Sequence, residues 1–335
     1  MKKKLFFILT SLAKVGNFFN SKLFMTFKAN FDGDIIPIFS RSDENRHLSA
    51  SEKFALIYHA FKASKKSDII LLWGEGGLFF LLLALIYRKR HLVFYNLIYY
   101  YDDIQSMKAK VIFHLIKKSL QSGYLKATVN SEKLPNIYSS IFDCSPTFFP
   151  LVHDFMEVSD IHVINKLDKK VRYIFFGGKA ERDVPNFINI VKSLPQYNFV
   201  CVISSKMKVV EMDLLSNLKV YTDISLQKFD EILGNAYICC IPLKSKFPCG
   251  LLVLMKAACC GIPIVASETF STITIIPDRH YGFLSPIGDY KSMVKQIERL
   301  MDDEKLYDNI SQRNKNRSKL FSLENTGKEL ASLFK

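Results

Sequence analysis

Continuous apolar runs alternate with amphipathic segments along the first half of the chain. The strand-like runs cover residues 5–10, 69–73, 92–98 and 127–130. Between them, apolar residues recur at helical spacing in segments 50–63, 78–88 and 104–121. Apolar runs without polar alternation are typical of parallel strands that are buried on both faces. This half is therefore predicted to be a parallel sheet covered by helices.

The second half repeats the alternation and predicts a second domain of the same α/β class. Strands are predicted over residues 171–176, 199–204, 219–221, 237–242 and 263–266. Helices are predicted over residues 184–194, 226–234, 251–260, 290–302 and 323–334. Ligands of such sheets bind at the carboxyl ends of the strands, so the loops that follow the strands are the places to look for chemistry.

The length of 335 residues suits two domains better than one core. Segment 143–170 holds Pro146, Pro150 and a mixed run of charges, and it is predicted to contain the linker. We therefore expect a Rossmann-like domain over 1–150 and a second over 151–318. The last helix, within 319–335, is expected to pack back on the first domain.

Two apolar stretches resemble membrane-targeting segments but favour a different interpretation. Residues 1–10 have the charge and apolar run of a signal peptide, yet no small-residue cleavage site is clear, and the run also suits a buried strand. Residues 69–87 approach the length of a membrane span, but Gly74, Gly76 and Gly77 interrupt them. A strand, a turn and a core helix are predicted instead.

Charge is unevenly distributed between the two halves. The chain has a formal net charge of +14; residues 1–150 hold 21 Lys and Arg against 11 Asp and Glu, and the remaining residues hold 25 against 21. Such a field attracts phosphates or anionic lipid headgroups, although a solvated basic surface without a partner is the alternative. No nucleic-acid motif accompanies the charge, so no nucleic-acid partner is predicted.

An apolar stripe in the first half is a candidate membrane face. Its residues recur at roughly helical spacing and have lysines beside them: Ile104, Met107, Val111, Leu115 and Leu120, with Lys108, Lys110, Lys117 and Lys118. The basic run 88–90 follows another apolar helix. A basic rim beside apolar side chains suits an anionic bilayer surface, whereas a core-facing stripe with solvated lysines is the alternative.

The seven cysteines form no C-x-x-C pair and lie mostly inside apolar runs. An odd count without metal spacing argues against a disulfide framework and a metal site, and it favours a reducing compartment. A cytoplasmic protein is therefore expected, peripheral at the inner face of the membrane if the apolar stripe contacts lipid.

Two loops carry the features of an anion site. Gly177 and Gly178 follow a predicted strand and precede a helix, and Arg182 lies in the same loop, where it could grip a diphosphate or pair with Asp183 at the surface. About 65 residues later, Lys244 and Lys246 precede another predicted helix, whose first amides would also face a phosphate.

The two loops, taken in order, resemble the signature of "group 1" glycosyltransferases of the GT-B fold. The signature itself matches at Pro248-Cys249-Gly250-Leu251 and at 256–267. Three further segments match in the same order as in the family: Gly177-Gly178 with Arg182, 225–229, and 281–284 with Gly288-Asp289. The resemblance covers roughly 171–305 and implies two Rossmann-like domains facing a cleft. It implies a donor site formed by Gly177, Gly178, Arg182, Ser204, Lys246, Cys249, Gly250 and Leu251.

One departure concerns the way in which the donor is held. Many members of the family have a Glu before the P-x-G turn and a second Glu eight residues later, which contact the transferred sugar and the ribose. Phe247 and Met255 occupy these positions here. Neither side chain accepts a hydrogen bond as a carboxylate does, so both contacts are in question.

A catalytic base is sought in the first half. Glu75, in a glycine turn after a strand, is the first candidate; Asp102, Asp103 and the pair His153-Asp154 are others. The alternative for Glu75 and the two aspartates is helix capping.

The resemblance implies transfer of a sugar, from a UDP-sugar, to a polyprenyl-diphosphate-linked glycan in surface-polysaccharide synthesis. Beyond the donor, no cofactor is implied, and no metal is predicted. A non-catalytic homologue that acts as a scaffold for an active transferase is the alternative.

Overall fold

Two parallel sheets, each in its own unit of the chain, form the framework of the protein. The computed structural model describes residues 3–10, 18–40, 48–74, 76–87, 91–97, 106–156, 172–246 and 251–335. Unit 1 consists of Met1–Asp154 with Leu323–Lys335, and unit 2 of Phe155–Ser322. The chain thus divides after Asp154 and Ser322, where the sequence predicts boundaries at 150 and 318.

Unit 1 contains a five-stranded sheet. Its strands are β1 (Lys3–Leu9), β2 (Gly33–Phe39), β3 (Ile69–Trp73), β4 (His91–Phe94) and β5 (Leu125–Ala127). They pair in parallel in the order β2-β1-β3-β4-β5. Residues 5–9 are buried, so the signal-like run is a central strand. Pro37 is tolerated in β2 because this strand lies at the edge of the sheet.

Five helices of unit 1 lie between its strands or follow them. They are α1 (Lys22–Asn30), α2 (Ala50–Ala63), α3 (Gly77–Ile86), α4 (Met107–Gln121) and α5 (Leu134–Phe142). Ser49 begins α2 with a reciprocal cap, in which its hydroxyl accepts from the Glu52 amide while the Glu52 carboxylate accepts from the Ser49 amide. α3 is apolar throughout but has ten residues. Among the described residues, no helix has both the length and the apolarity to cross a bilayer.

Unit 2 contains a six-stranded sheet. Its strands are β6 (Tyr173–Gly177), β7 (Asn198–Ile203), β8 (Leu218–Thr222), β9 (Ile238–Ile241), β10 (Ile264–Ser267) and β11 (Phe283–Ser285). All pair in parallel in the order β11-β10-β9-β6-β7-β8. The chain runs outward from β6 in one direction and then returns to β9 on the other side. β6 and β9 therefore form the topological switch point of the sheet.

Helices cover both faces of this second sheet. They are α6 (Val184–Ser193), α7 (Leu226–Gly234), α8 (Leu251–Cys259), α9 (Thr272–Ile275), α10 (Tyr290–Asp302) and α11 (Glu304–Arg317). One core packs around α8, with Leu254 and Met255, and the other around α6 and α10, with Phe187 and Ile297. Because apolar cores cover both faces of this parallel sheet, its strands are continuous apolar runs in the sequence.

The last helix, α12 (Leu323–Ser332), belongs to unit 1. It packs closely on α1, since a Cβ on Gly327 would lie 2.5 Å from the carbonyl oxygen of Leu23. The Glu329 carboxylate accepts a hydrogen bond from the His153 amide at 2.8 Å and contacts His153 Nδ1 at 2.8 Å. Where unit 2 begins and ends, the Met156 amide donates to the Phe321 carbonyl at 2.9 Å.

Candidate functional site

The two loops singled out in the sequence meet at the switch point of the second sheet. They follow β6 and β9, which are neighbours, so both emerge at the same edge. The Asp183 amide donates to the Pro242 carbonyl and the Lys244 amide to the Glu181 carbonyl, each at 3.0 Å. A short antiparallel bridge therefore joins Arg182 to Leu243 and ties the loops together. Carboxyl-end crevices at switch points are where α/β sheets bind ligands.

Both glycines of the first loop are required by its geometry. A Cβ on Gly177 would lie 2.5 Å from the ring of Phe175. Gly178 has φ of 116°, a conformation that side chains rarely adopt, and its amide donates to the Val202 carbonyl at 3.0 Å. The two glycines therefore let the loop turn sharply at the end of β6 and leave room for the side chains of Phe175 and Arg182.

Arg182 is built into this loop. It is 3% exposed, its Nε donates to the Gly177 carbonyl at 2.6 Å, and its Nη1 donates to the Ala180 carbonyl at 2.8 Å. The alternative of a surface pair with Asp183 is wrong, because Asp183 caps α6 by accepting from the Asn186 amide at 3.1 Å. The contact between Arg182 and a diphosphate stays a prediction. Burial raises the pKa of the Cys239 thiol in β9 to about 12, although the nearby Arg182 charge lowers it in part.

Glu181 has a role that the sequence did not reveal. Its backbone is left-handed, with φ of 54°, and its carboxylate accepts from the Ser245 hydroxyl at 2.8 Å. Backbone and side chain together fasten the first loop to the second. A non-glycine residue in this conformation has no sequence signature, and only its place beside a glycine pair could have suggested it.

The second loop places cations beside the first. Lys244 and Lys246 are exposed, and within the described part of the chain neither side chain forms an ion pair. The Leu243 amide donates to the Ser267 hydroxyl at the end of β10 at 2.9 Å, which anchors the start of the loop. Leu251 is the first residue of α8 and is half-buried. Phe247, Cys249 and Gly250 lie outside the described residues.

Ser204 follows β7 at the same edge of the sheet and is half-buried. The neighbouring Ser205 amide donates to the Asp223 carboxylate at 3.2 Å. Hydrogen bonds from the Ser205 side chain and amide hold the pKa of the exposed Asp223 carboxyl below its usual value. Ser204 thus lies at the carboxyl edge of the sheet, as do the two loops.

Helix α8 has no carboxylate to offer a ribose. Met255 is fully buried in the core, and the one charged residue of the helix, Lys256, pairs with Asp230 of α7. No group of three metal-ligating side chains is placed to hold an ion in the described ranges. The loops that follow β6 and β9 supply Lys244 and Lys246 as positive charges that could face a diphosphate.

Unit 1 buries the described candidates for a base. Asp154 accepts from Asn96 Nδ2 at 3.0 Å and from Asn130 Nδ2 at 2.7 Å. Burial raises the pKa of the Asp154 carboxyl, and the hydrogen bond from Asn130 offsets part of this rise. His153 is 5% exposed and contacts Glu329 of α12, so this pair supports the packing of the last helix. Glu75, Asp102 and Asp103 lie outside the described residues.

The predicted apolar stripe divides into an exposed part and a buried part. Met107 and Val111 of α4 are 76% and 48% exposed, whereas Leu120 is fully buried. Leu120 faces the core because it lies five positions after Leu115, which rotates it by about 140° around the helix axis, away from the side of Leu115. The core-facing alternative therefore holds for the end of the helix. Ile104 lies outside the described residues.

A second exposed apolar stripe lies on α3, beside α4. Leu78, Leu82 and Ile86, four residues apart, are 39%, 41% and 72% exposed. We call these three residues, with Met107 and Val111, the apolar face of unit 1. Exposed apolar patches of this kind are typical of contact with a partner or a membrane.

Comparisons with known proteins bear on both units. The model of the family described as "Glycosyl transferases group 1" matches residues 158–317. No curated protein sequence matches the chain. Among solved structures, a glycosyltransferase from Rickettsia africae is similar with a TM-score of 0.68 and 11% identity, covering 99% of this chain and 98% of that one.

Two further structures share the fold over nearly the whole chain. HepE from Anabaena, solved in complex with UDP, has a TM-score of 0.66 and 13% identity, covering 98% of each chain. A sucrose-phosphate synthase from Thermosynechococcus elongatus has a TM-score of 0.68 and 13% identity, covering 99% of this chain and 98% of that one. At these identities the similarity shows the GT-B fold, which confirms the predicted fold class.

Proposed function

We propose that this protein is a glycosyltransferase that uses a UDP-sugar, since residues 158–317 match the group 1 glycosyltransferase model and the chain has the GT-B fold. The observation that carries the proposal is the tying of two loops, one glycine-rich and one basic, at the switch point of the second sheet. The Anabaena structure with UDP supports the choice of nucleotide.

The proposed reaction moves a hexose or N-acetylhexosamine to a hydroxyl of a glycan. The acceptor oxygen forms a bond to the anomeric carbon, the bond from that carbon to the β-phosphate oxygen breaks, and the hydroxyl proton passes to a base or to the departing phosphate. Lys244 and Lys246, with the Arg182 loop, stabilise the charge on the leaving UDP. Glu75, which follows β3, is the residue proposed to contact the acceptor hydroxyl.

The acceptor is proposed to be a glycan on a polyprenyl diphosphate, as in surface-polysaccharide synthesis, at the inner face of the membrane. The apolar face of unit 1 supports this choice. Its helix α4 carries Lys108, Lys110, Lys117 and Lys118 and no acidic residue. Apolar side chains beside cations suit an anionic bilayer surface.

The test is turnover of a panel of nucleotide sugars, with UDP release as the readout. We expect release from at least one UDP-sugar, and a decrease of about tenfold in kcat/KM for Lys246→Ala, since one charge-assisted contact contributes about 1.5–3 kcal/mol. Lys291→Ala, an exposed lysine on α10, is the matched control. Turnover of Lys246→Ala at the control's rate would contradict the placement of the leaving diphosphate.

A scaffold that partners an active transferase is the second candidate, and the buried Met255 favours it, because the usual ribose contact is missing from α8. Such a scaffold would release UDP from no member of the panel. It would still activate a partner transferase when the two are mixed. Absence of turnover together with this activation would replace the enzymatic proposal.

A further inference from the structure

Unit 1 holds a cavity of about 480 Å³ at the carboxyl ends of its central strands. Helices α3 and α4 form its walls through Leu78, Leu81, Ile112 and Ile116, and Trp73 at the end of β3 closes one side. Its volume is within the range of about 300–1,000 Å³ that is typical of small-molecule sites. All of the residues that line the cavity belong to unit 1.

The lining of this cavity is chemically suited to hydrocarbon. None of its described lining residues is charged, and most are aliphatic or aromatic. The Trp73 indole stacks on the Tyr95 ring at 3.6 Å between centroids, which presents flat apolar surface rather than hydrogen-bonding groups. A sugar or a phosphate inside would lose its hydration without gaining polar partners, whereas an alkyl chain would gain burial.

The surroundings of the cavity add a positive charge. Lys108 lies four residues before Ile112 and eight before Ile116, so it shares their stripe on α4 one turn toward the helix start. Its side chain is exposed, as are those of Met107 and Val111 beside it. Leu78 both lines the cavity and is 39% exposed, so the cavity is continuous with the apolar face.

We propose that this cavity binds the hydrocarbon chain of an anionic lipid whose phosphate lies beside Lys108. This inference rests on the proposed function for its biological role, because the lipid would then be the carrier of the acceptor glycan. The cavity takes the first part of the chain, and the apolar face of unit 1 continues the contact into the bilayer. The charge of α4 selects an anionic lipid over a neutral one.

The sole tryptophan of the chain makes the proposal directly measurable. Trp73 lines the cavity, so its fluorescence reports on occupancy without any label. The probes are dodecyl phosphate, hexyl phosphate, dodecanol and inorganic phosphate, each titrated into the full chain. We expect affinity to increase about tenfold for every two methylenes added, until the cavity is filled. Inorganic phosphate is expected to leave the fluorescence unchanged.

Three variants locate the binding. Ile112→Phe fills the cavity and is expected to weaken dodecyl phosphate at least tenfold, whereas Val210→Phe, at an 80% exposed valine of unit 2, is expected to bind like the wild type. Lys108→Gln is expected to weaken dodecyl phosphate about threefold and dodecanol not at all. Leu78→Phe, at a partly exposed lining position, repeats the cavity-filling test if Ile112→Phe does not fold.

Two results would overturn the inference. One is an affinity that does not depend on chain length, and the other is equal binding by folded Ile112→Phe and Val210→Phe. The shift in melting temperature caused by UDP, measured on the same samples, distinguishes a failure of the lipid site from a failure of the proposed function. If UDP stabilises the protein but the Trp73 fluorescence does not respond to alkyl chain length, only the lipid site is disproved. If alkyl phosphates bind but no nucleotide sugar is turned over, only the transferase role is disproved.

Discussion

At the scale of single residues, the loop after β6 depends on one glycine and one arginine that occupy adjoining space. A Cβ on Gly178 would lie 2.2 Å from Arg182 Nη2, while the other guanidinium nitrogens donate to loop carbonyls. Removing the arginine leaves those carbonyls without their donors, and adding a methyl group at Gly178 displaces the arginine. Both substitutions therefore disrupt the same hydrogen bonds between Arg182 and the loop carbonyls.

We predict that Gly178→Ala and Arg182→Ala each lower the affinity for UDP at least tenfold. Their effects should not add in the double variant, because each one already breaks the same contacts. Isothermal titration with UDP measures all three proteins. The control is Gly288→Ala, where φ is 84° and a Cβ would meet nothing within 4 Å, so that backbone strain is present without the clash. Additive losses in the double variant would contradict the shared mechanism.

A second prediction concerns Glu329 and pH. Burial raises the pKa of this carboxyl, but hydrogen bonds and charge from His153 outweigh burial and hold it below its usual 4.5. A carboxyl with a lowered pKa in the folded state stabilises the fold above about pH 4.5, and the effect is lost as the pH falls through the folded value. Glu329→Gln should therefore cost about 1 kcal/mol at pH 7 and progressively less below pH 4.5.

Urea unfolding across this pH range measures the difference. Glu298→Gln on α10 serves as the control, since no hydrogen bond to another element is found for it among the described residues. A Glu329→Gln difference that stays constant from pH 7 to pH 3.5 would show that the carboxylate charge contributes nothing to the packing of α12.

At the scale of elements, the apolar face of unit 1 allows a direct test of membrane contact. Ile86, at the end of α3, is 72% exposed, and burying such a side chain contributes about 1.5–3 kcal/mol. Ile86→Glu should therefore reduce partitioning into phosphatidylglycerol vesicles about tenfold or more. Co-sedimentation with vesicles measures it. Leu214→Glu, a 78% exposed leucine of unit 2, is the matched control, and equal losses in both variants would argue against a defined face.

The elements that the sequence predicted well are those with strong apolar periodicity or buried strands. Helix α7 was predicted over 226–234 and spans Leu226–Gly234, and the central strand β3 agrees likewise. Strand β2 was missed because Pro37 and polar residues interrupt its pattern, which only an edge position permits. Helix α11 was missed because it is strongly polar and buries only Ile310 and Asn314.

The candidate site was also predictable only in part, because some of its features are local in sequence and others are not. Glycines and cations that follow predicted strands can be recognised in the sequence. The two loops of unit 2 could therefore be assigned to one site before their geometry was known. The buried hydrogen bonds of Arg182 and the left-handed backbone of Glu181 depend on neighbours that are distant in sequence. The cavity beneath α3 and α4 likewise arises from packing, which no local pattern encodes.

At the scale of the whole molecule, unit 1 is discontinuous and unit 2 is inserted into it. The hydrogen bond between Met156 and Phe321 holds the two ends of unit 2 together. Unit 1 in turn needs α12, where Gly327 packs on α1 and the ring of Phe334 lies 5.8 Å from that of Phe31. The two cores are therefore separable in space although one of them is split in sequence.

We predict that unit 1 folds when residues 155–322 are replaced by a short Gly/Ser linker. The shortened chain should unfold cooperatively and keep the Trp73 response to dodecyl phosphate. Residues 1–154 alone are the control, and they should melt at a lower temperature or not fold, because they lack the partners that α12 gives to His153 and Phe31. A fully stable 1–154 fragment would show that the last helix is dispensable.

The split in unit 1 has a consequence for the order in which the protein is made. On the ribosome, all of unit 2 emerges before residues 323–335, so unit 2 can finish folding while unit 1 still exposes Phe27 and Phe31. A premature stop codon at position 323 would therefore damage unit 1 rather than unit 2. Such a truncated product would still contain the two joined loops of unit 2, yet the exposed apolar surface of unit 1 would make it a substrate for chaperones and proteases.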